Sequence, residues 1–171
     1  PAAVAAVEAA VDLERTLFVV ASKSGGTTET ASFHAYFYER LRELEGDHAG
    51  HHFVAITDED TSLQRQALEQ DFLAVFVNPS NIGGRYSALS FFGLVPAALA
   101  GLDLEKLLDG ARRMAAACAA DVPPGENPAL LLGAQIGELA LAGRDKLTLV
   151  TPSRLTPLGA WVEQLVAEST G

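Results

Sequence analysis

Three short apolar runs, separated by two stretches of helical pattern, constrain the first half of this chain more than any other feature. The runs at 17–21 (LFVVA), 53–57 (FVAIT) and 72–77 (FLAVFV) are continuous and partly β-branched, as strands buried on both faces are. Between the first two, the segment 28–44 places Phe33, Phe37, Leu41 and Leu44 at helical spacing, the stripe of a helix lying on a sheet. Between the second and third, Thr61 followed three residues later by Gln64 has the form of a capping box that opens another helix. The order βαβαβ predicts an α/β fold, with parallel strands, right-handed crossovers and helices on both faces of the sheet.

The texture changes after Asn78. Segments 87–100 and 103–120 read as helices divided by Gly101, and 121–126 (DVPPGE) reads as a loop where a domain can end. Asn127 before Pro128 sets a capping side chain ahead of a proline in the first turn, and Leu132, Ile136 and Leu139 continue one apolar stripe until Gly143 stops it. A strand is predicted at 146–151. Thr156-Pro157 then repeats the start signal for a last helix that is still running near the end of the sequence. The abundant alanine forms no internal repeat.

The 171 residues, 49% hydrophobic and 20% charged, suit one globular domain or one domain with part of another. Against 22 acidic residues stand only 12 lysines and arginines, a formal charge of −10. That balance argues against general nucleic-acid binding and requires any anionic ligand to be held locally. Acids such as Glu39, Glu43 and Glu45 fall on solvated helix faces. There is no apolar run of about 18 residues, and the first eight residues lack the basic flank and apolar stretch of a signal peptide. Cys118 is the single cysteine, so no intramolecular disulfide can form and a cytoplasmic location is expected. His48, His51 and His52, in acidic, glycine-flanked surroundings, read as a surface loop rather than a metal site.

Three segments carry chemistry. At 22–30 (SKSGGTTET), between a buried strand and an amphipathic helix, small residues and five hydroxyls, Ser22, Ser24, Thr27, Thr28 and Thr30, meet a helix start. Free backbone N–H groups there can cradle a phosphate. The nucleotide pattern GxxxxGK is absent and Lys23 precedes the glycines, so a sugar phosphate suits the loop better than ATP. A serine- and glycine-rich turn before a capped helix would read the same way. The second segment, 81–87 (NIGGRYS), follows the third strand, where Gly83 and Gly84 bring Arg85 in on a tight backbone. A fixed guanidinium can stabilise a developing oxyanion; equally, it can form a structural ion pair. In the last helix Trp161, Leu165 and Glu168 fall at i, i+4 and i+7, with Gln164 on roughly the same face. The stripe predicts a half-buried carboxylate, and apolar company favours proton exchange by such a group. By spacing alone, a helix-end glutamate in water is the plainer reading.

Taken together, the SKS…TTET loop, the GGRYS element and the segment ending in ESTG resemble the phosphoglucose isomerase family, whose sugar isomerase (SIS) domains carry these motifs in this order. The resemblance covers nearly the whole chain. The stretches NIGGRYSALSFFGLVPAALAG, GRDKLTLVTP and LGAWVEQLVAESTG look most like the isomerase half of bacterial bifunctional transaldolase/phosphoglucose isomerases. It implies an SIS-type doubly wound parallel sheet, incomplete at its N-terminus, followed by helices and the start of a second α/β domain. Residues 1–100 would be the first SIS domain, 101–127 a connecting helix and loop, and 128–171 the beginning of the second.

The implied reaction interconverts glucose 6-phosphate and fructose 6-phosphate through an enediolate, without metal or organic cofactor. Ser22, Lys23, Ser24 and Thr27 match phosphate-site positions, with Thr30 beside them. Arg85 matches the residue that stabilises the enediolate, Gly84 and Gln164 match substrate-contacting positions, and Glu168 matches the base that moves a proton between C1 and C2. A homodimer is implied for the parent protein. The family's glycine-rich GGSxLG loop would lie upstream of Pro1, and its ring-opening histidine and later lysine downstream of Gly171. The isolated 171 residues are therefore expected not to turn over substrate. Two other readings stay open at this point: a noncatalytic sugar-phosphate-binding SIS module, and an excised dimerisation fragment.

Overall fold

The computed structural model describes residues 2–170. The chain separates into two compact units, Pro1–Leu102 and Asp103–Gly171.

The first unit runs α1 (Ala2–Ala10), a 3-10 turn, β1 (Phe18–Ala21), α2 (Thr28–Glu45), a second 3-10 segment, β2 (Phe53–Asp58), α3 (Ser62–Glu69), β3 (Ala74–Asn78), the 3-10 segment Gly84–Leu89 and α4 (Phe91–Leu99). The three strands form one parallel sheet in the order β1-β2-β3. Phe18 pairs with Phe53, Ile56 with Phe76 and Asp58 with Asn78. Every residue of β2 is buried, as a central strand with both faces covered must be.

Alternation along β2 sends Phe53 and Ala55 to one face and Val54 and Ile56 to the other. Phe53 and Ala55 join Val20 of β1, Phe37 and Leu41 of α2, and Leu63 and Ala67 of α3 in the main core. The opposite face is closed by α4, where the Phe91 ring lies 5.5 Å from that of Phe76. Helices thus cover both faces.

The strand beginning predicted at residue 72 starts at Ala74. Phe72 is instead a core anchor in the turn, its ring stacked 5.2 Å from Phe53 and its N–H bonded to the Ala67 carbonyl. The capping box of α3 is realised one residue out of register. The Thr61 hydroxyl accepts from the Gln64 N–H at 3.2 Å, while the Gln64 side chain accepts from the N–H of Asp60, not of Thr61.

On α2 the buried face is His34, Phe37 and Leu41. Phe33 and Leu44, expected in the stripe, are 48% and 53% exposed. The helix is rotated because a histidine takes a core position: His34 packs edge-on against Phe53 and Phe72 at 5.2 and 5.3 Å. Burial lowers its pKa and favours the neutral ring. Helix α1, which the sequence patterning does not announce, is tied to α2 by Glu8. Its carboxylate accepts from the Tyr36 hydroxyl at 2.6 Å and from Arg40 at 2.7 Å, and those bonds hold its pKa below the usual carboxylate range.

The second unit contains α5 (Leu104–Ala117), α6 (Pro128–Leu141), the 3-10 turn Ser153–Leu155 and α7 (Thr156–Thr170). Asp103 caps α5 by accepting from the Lys106 N–H at 3.0 Å, and Asn127 caps α6 by accepting from the N–H groups of Ala129 and Leu130 at 3.1 Å. Gly101 and Gly143 adopt positive φ of 77° and 80° at the ends of α4 and α6, where a side chain would be strained. The strand expected at 146–151 does not form. A strand needs a ladder partner, none is present among the described residues of this unit, and Val150 is left 92% exposed. Thr156 does not cap α7 but is already helical (φ −51°, ψ −43°), its hydroxyl donating back to the Ser153 carbonyl. No described helix is long and apolar enough to cross a membrane.

Candidate active site

Because the strands are parallel, the segments leaving β1, β2 and β3 emerge at one edge of the sheet, the place where α/β sheets hold ligands. The Ser22 N–H extends the ladder by donating to the Ile56 carbonyl at 3.0 Å. A turn follows in which Gly25 N–H donates to the Ser22 carbonyl with Gly25 at φ +68°. A Cβ on Gly25 would stand 2.7 Å from the Thr61 Cβ, so only glycine lets the loop lie against α3.

Thr27 occupies the N-cap position of α2 but makes no capping bond with its side chain. Its hydroxyl pairs with that of buried Ser22 at 2.9 Å. The loop hydroxyls therefore brace the loop, and no N-cap side chain competes for the first-turn N–H groups of α2, which together with the helix dipole suit an anion. Ser24 stands exposed beside this helix start, its hydroxyl accepting from the Gly26 N–H at 3.3 Å. Thr30 turns elsewhere: it lines an apolar cavity of about 380 Å³ with residues of α1 and β1.

Lys23 is half-buried and bonded to the protein. Its ammonium forms an ion pair with Asp58, at the end of β2, and donates to the Ser80 carbonyl at 2.9 Å. Ser80 opens the segment that leads to Arg85, so the loops after β1 and β3 are joined through the end of β2. Sequence reading missed Asp58; the one signal it offered was an acid closing an otherwise apolar run.

Arg85 is half-buried in the first turn of the 3-10 segment that begins at Gly84. The segment is held by Tyr86 N–H donating to Gly83 carbonyl at 3.0 Å and by the Ser87 hydroxyl donating to Gly84 carbonyl at 2.6 Å. The paired glycines do not impose the tight backbone expected of them. Neither has positive φ, and a Cβ at Gly84 would meet nothing within 4 Å. What glycine leaves at 84 is open space.

In the second unit, Gln164 and Glu168 do share a face of α7, the Gln164 amide donating to the Glu168 carboxylate at 3.2 Å. Glu168 is exposed rather than half-buried, and its stripe neighbour Trp161 is 44% exposed. The stripe exists, but among the described residues of this unit nothing buries Glu168. Glu163 lies on another side of the helix, against a shallow pocket lined by Leu147, Leu149 and Val166.

Comparison with known proteins places this geometry in a family. The model of the family described as phosphoglucose isomerase matches residues 1–171. A glucose-6-phosphate isomerase of Carboxydothermus hydrogenoformans is 34% identical over the whole chain, and one of Citrifermentans bemidjiense is 38% identical over 93% of it. The chain spans 37% and 30% of the lengths of those two proteins. A solved structure described as a hypothetical protein from Thermus thermophilus superposes on 81% of the chain and 33% of its own, with a TM-score of 0.75 at 34% identity. The chain belongs to the phosphoglucose isomerase family.

Proposed function

We propose that this chain carries part of the active site of a sugar-phosphate isomerase that interconverts glucose 6-phosphate and fructose 6-phosphate. The observation that carries this reading is the uncapped start of α2 beneath a glycine turn, joined through Asp58 to the segment bearing Arg85. In this reading the backbone amides at 24–30 hold the phosphate, with Ser24 and Thr27 beside it, and Gly84 leaves room for the sugar. Glu168, oriented by Gln164, takes the proton from C2 and returns it to C1. Arg85 balances the charge that develops on the enediolate oxygens. The chemistry calls for no metal or organic cofactor, since proton transfer and charge balance suffice. The domain division at 101–127 and the homodimer belong to the same proposal, resting on the motif resemblance, and so does the cytoplasmic location, resting on the single cysteine.

Inorganic phosphate titrated into the protein is expected to shift the backbone amide signals of Ser24 and Thr27, with a dissociation constant on the order of a millimolar, about 4 kcal/mol. Undisturbed signals at saturating phosphate would refute the anion site. A coupled assay of the isolated 171 residues is expected to show no isomerisation, because the chain spans about a third of its relatives. Turnover near that of a complete isomerase would show that the machinery lies within these residues after all.

A further inference from the structure

We infer that Lys23 is a positioning residue rather than a phosphate ligand: it locks the loop after β1 to the loop after β3 and cancels a buried carboxylate beneath the anion site. The inference rests on the phosphate-binding reading above. It departs from what position in the motif suggests, since a lysine in a phosphate loop ordinarily serves as a point charge for the anion.

The ammonium is turned to the protein. Lys23 bonds across 35 residues to Asp58 and across 57 to the Ser80 carbonyl, and the Asp58 N–H answers by donating to the Lys23 carbonyl at 3.2 Å. Lys23 thus meets Asp58 through both side chain and backbone, a fixed geometry in which two of three ammonium donors are committed. Asp58 is only 8% exposed, and its Oδ1 is buried without a hydrogen-bond partner among the described residues. Its neighbour in register, Asn78, also buries an unpartnered Oδ1. The paired ends of β2 and β3 therefore bury two unpartnered acceptor oxygens, and the charged one, on Asp58, repels an anion unless a cation is held beside it. Remove the ammonium, and Asp58 becomes an uncompensated charge in a partly dehydrated place close to the phosphate cradle.

A direct ligand and a neutralising strut differ in a double-substitution test on the 171-residue protein titrated with inorganic phosphate. Lys23→Met is expected to weaken phosphate binding roughly tenfold or more, because the bare carboxylate opposes the anion. Lys23→Met combined with Asp58→Asn is expected to bring affinity back to within about threefold of the parent, since the repelling charge has gone with its partner. If the double variant stays as weak as Lys23→Met, the lysine contacts the anion directly and the inference is wrong. Should Lys23→Met fail to fold, the Nζ resonance of Lys23 in the parent protein decides. It should hold its position at saturating phosphate while the Ser24 and Thr27 amides move, and a comparable movement of the ammonium signal overturns the strut. A parent protein whose amides ignore phosphate removes the anion site itself, and this inference with it.

Discussion

In the full-length isomerase proposed to contain this chain, Glu168→Gln is expected to lower kcat by at least about a hundredfold while leaving KM within a few-fold. The substitution keeps the size of the side chain and leaves an oxygen to accept from the Gln164 amide, which now holds Glu168 at 3.2 Å. What it removes is the capacity to accept a proton, so binding survives and the chemical step does not. Arg85→Ala is expected to slow turnover as well, by withdrawing the charge that offsets the enediolate. Glu163→Gln is the control, because Glu163 lies against the Leu147 and Leu149 pocket on another side of α7 and has no part in the proposed chemistry. Steady-state kinetics on the three variants separates the roles; equal losses for Glu163→Gln and Glu168→Gln would mean that the effects are structural.

The largest stability effect is expected at Phe53. Its ring is fully buried, stacked 5.3 Å from Phe18 and 5.2 Å from Phe72, with His34 set edge-on to it. Phe53→Ala removes the residue on which β1, α2 and the turn before β3 converge, and is expected to cost about 3–5 kcal/mol. That is comparable to the whole stability of a modest domain, roughly 5–15 kcal/mol. Phe33→Ala, one helical position away from the buried face of α2, is expected to cost less than about 1 kcal/mol. Urea unfolding of the two variants tests the packing directly. Similar losses would mean that the apolar spacing, and not the observed rotation of α2, describes the core.

That rotation shows what the sequence could and could not reveal. Although only β2 is buried along its whole length, the three strands are legible because the interior of a parallel sheet selects unbroken apolar runs. The phase of α2 is not, since His34 enters the core as a neutral aromatic ring while counting as polar in any pattern of apolar residues. The strand expected at 146–151 illustrates a different limit: propensity is local, whereas a strand exists only with a partner to bond to. Asn127 is legible as a cap because that chemistry is complete within four residues.

The same division holds in the site. A helix start after a glycine turn can be recognised locally, as can an arginine after paired glycines. The Lys23 and Asp58 pair cannot, because only the parallel register of β1 and β2 brings the two together. Glu168 marks the reverse case: the stripe is legible and its burial is not, and the plainer reading of a helix-end glutamate in water matches the exposure seen in its unit, since burial depends on what packs over a face.

The central claim is that Glu168 moves a proton between two carbons of a sugar phosphate. It is tested most directly by incubating the complete protein with glucose 6-phosphate in D2O and following deuterium at C2. The unsubstituted protein should exchange that hydrogen with solvent during turnover, and Glu168→Gln should exchange it at least about a hundredfold more slowly. Exchange by Glu168→Gln at the unsubstituted rate would show that another group is the base.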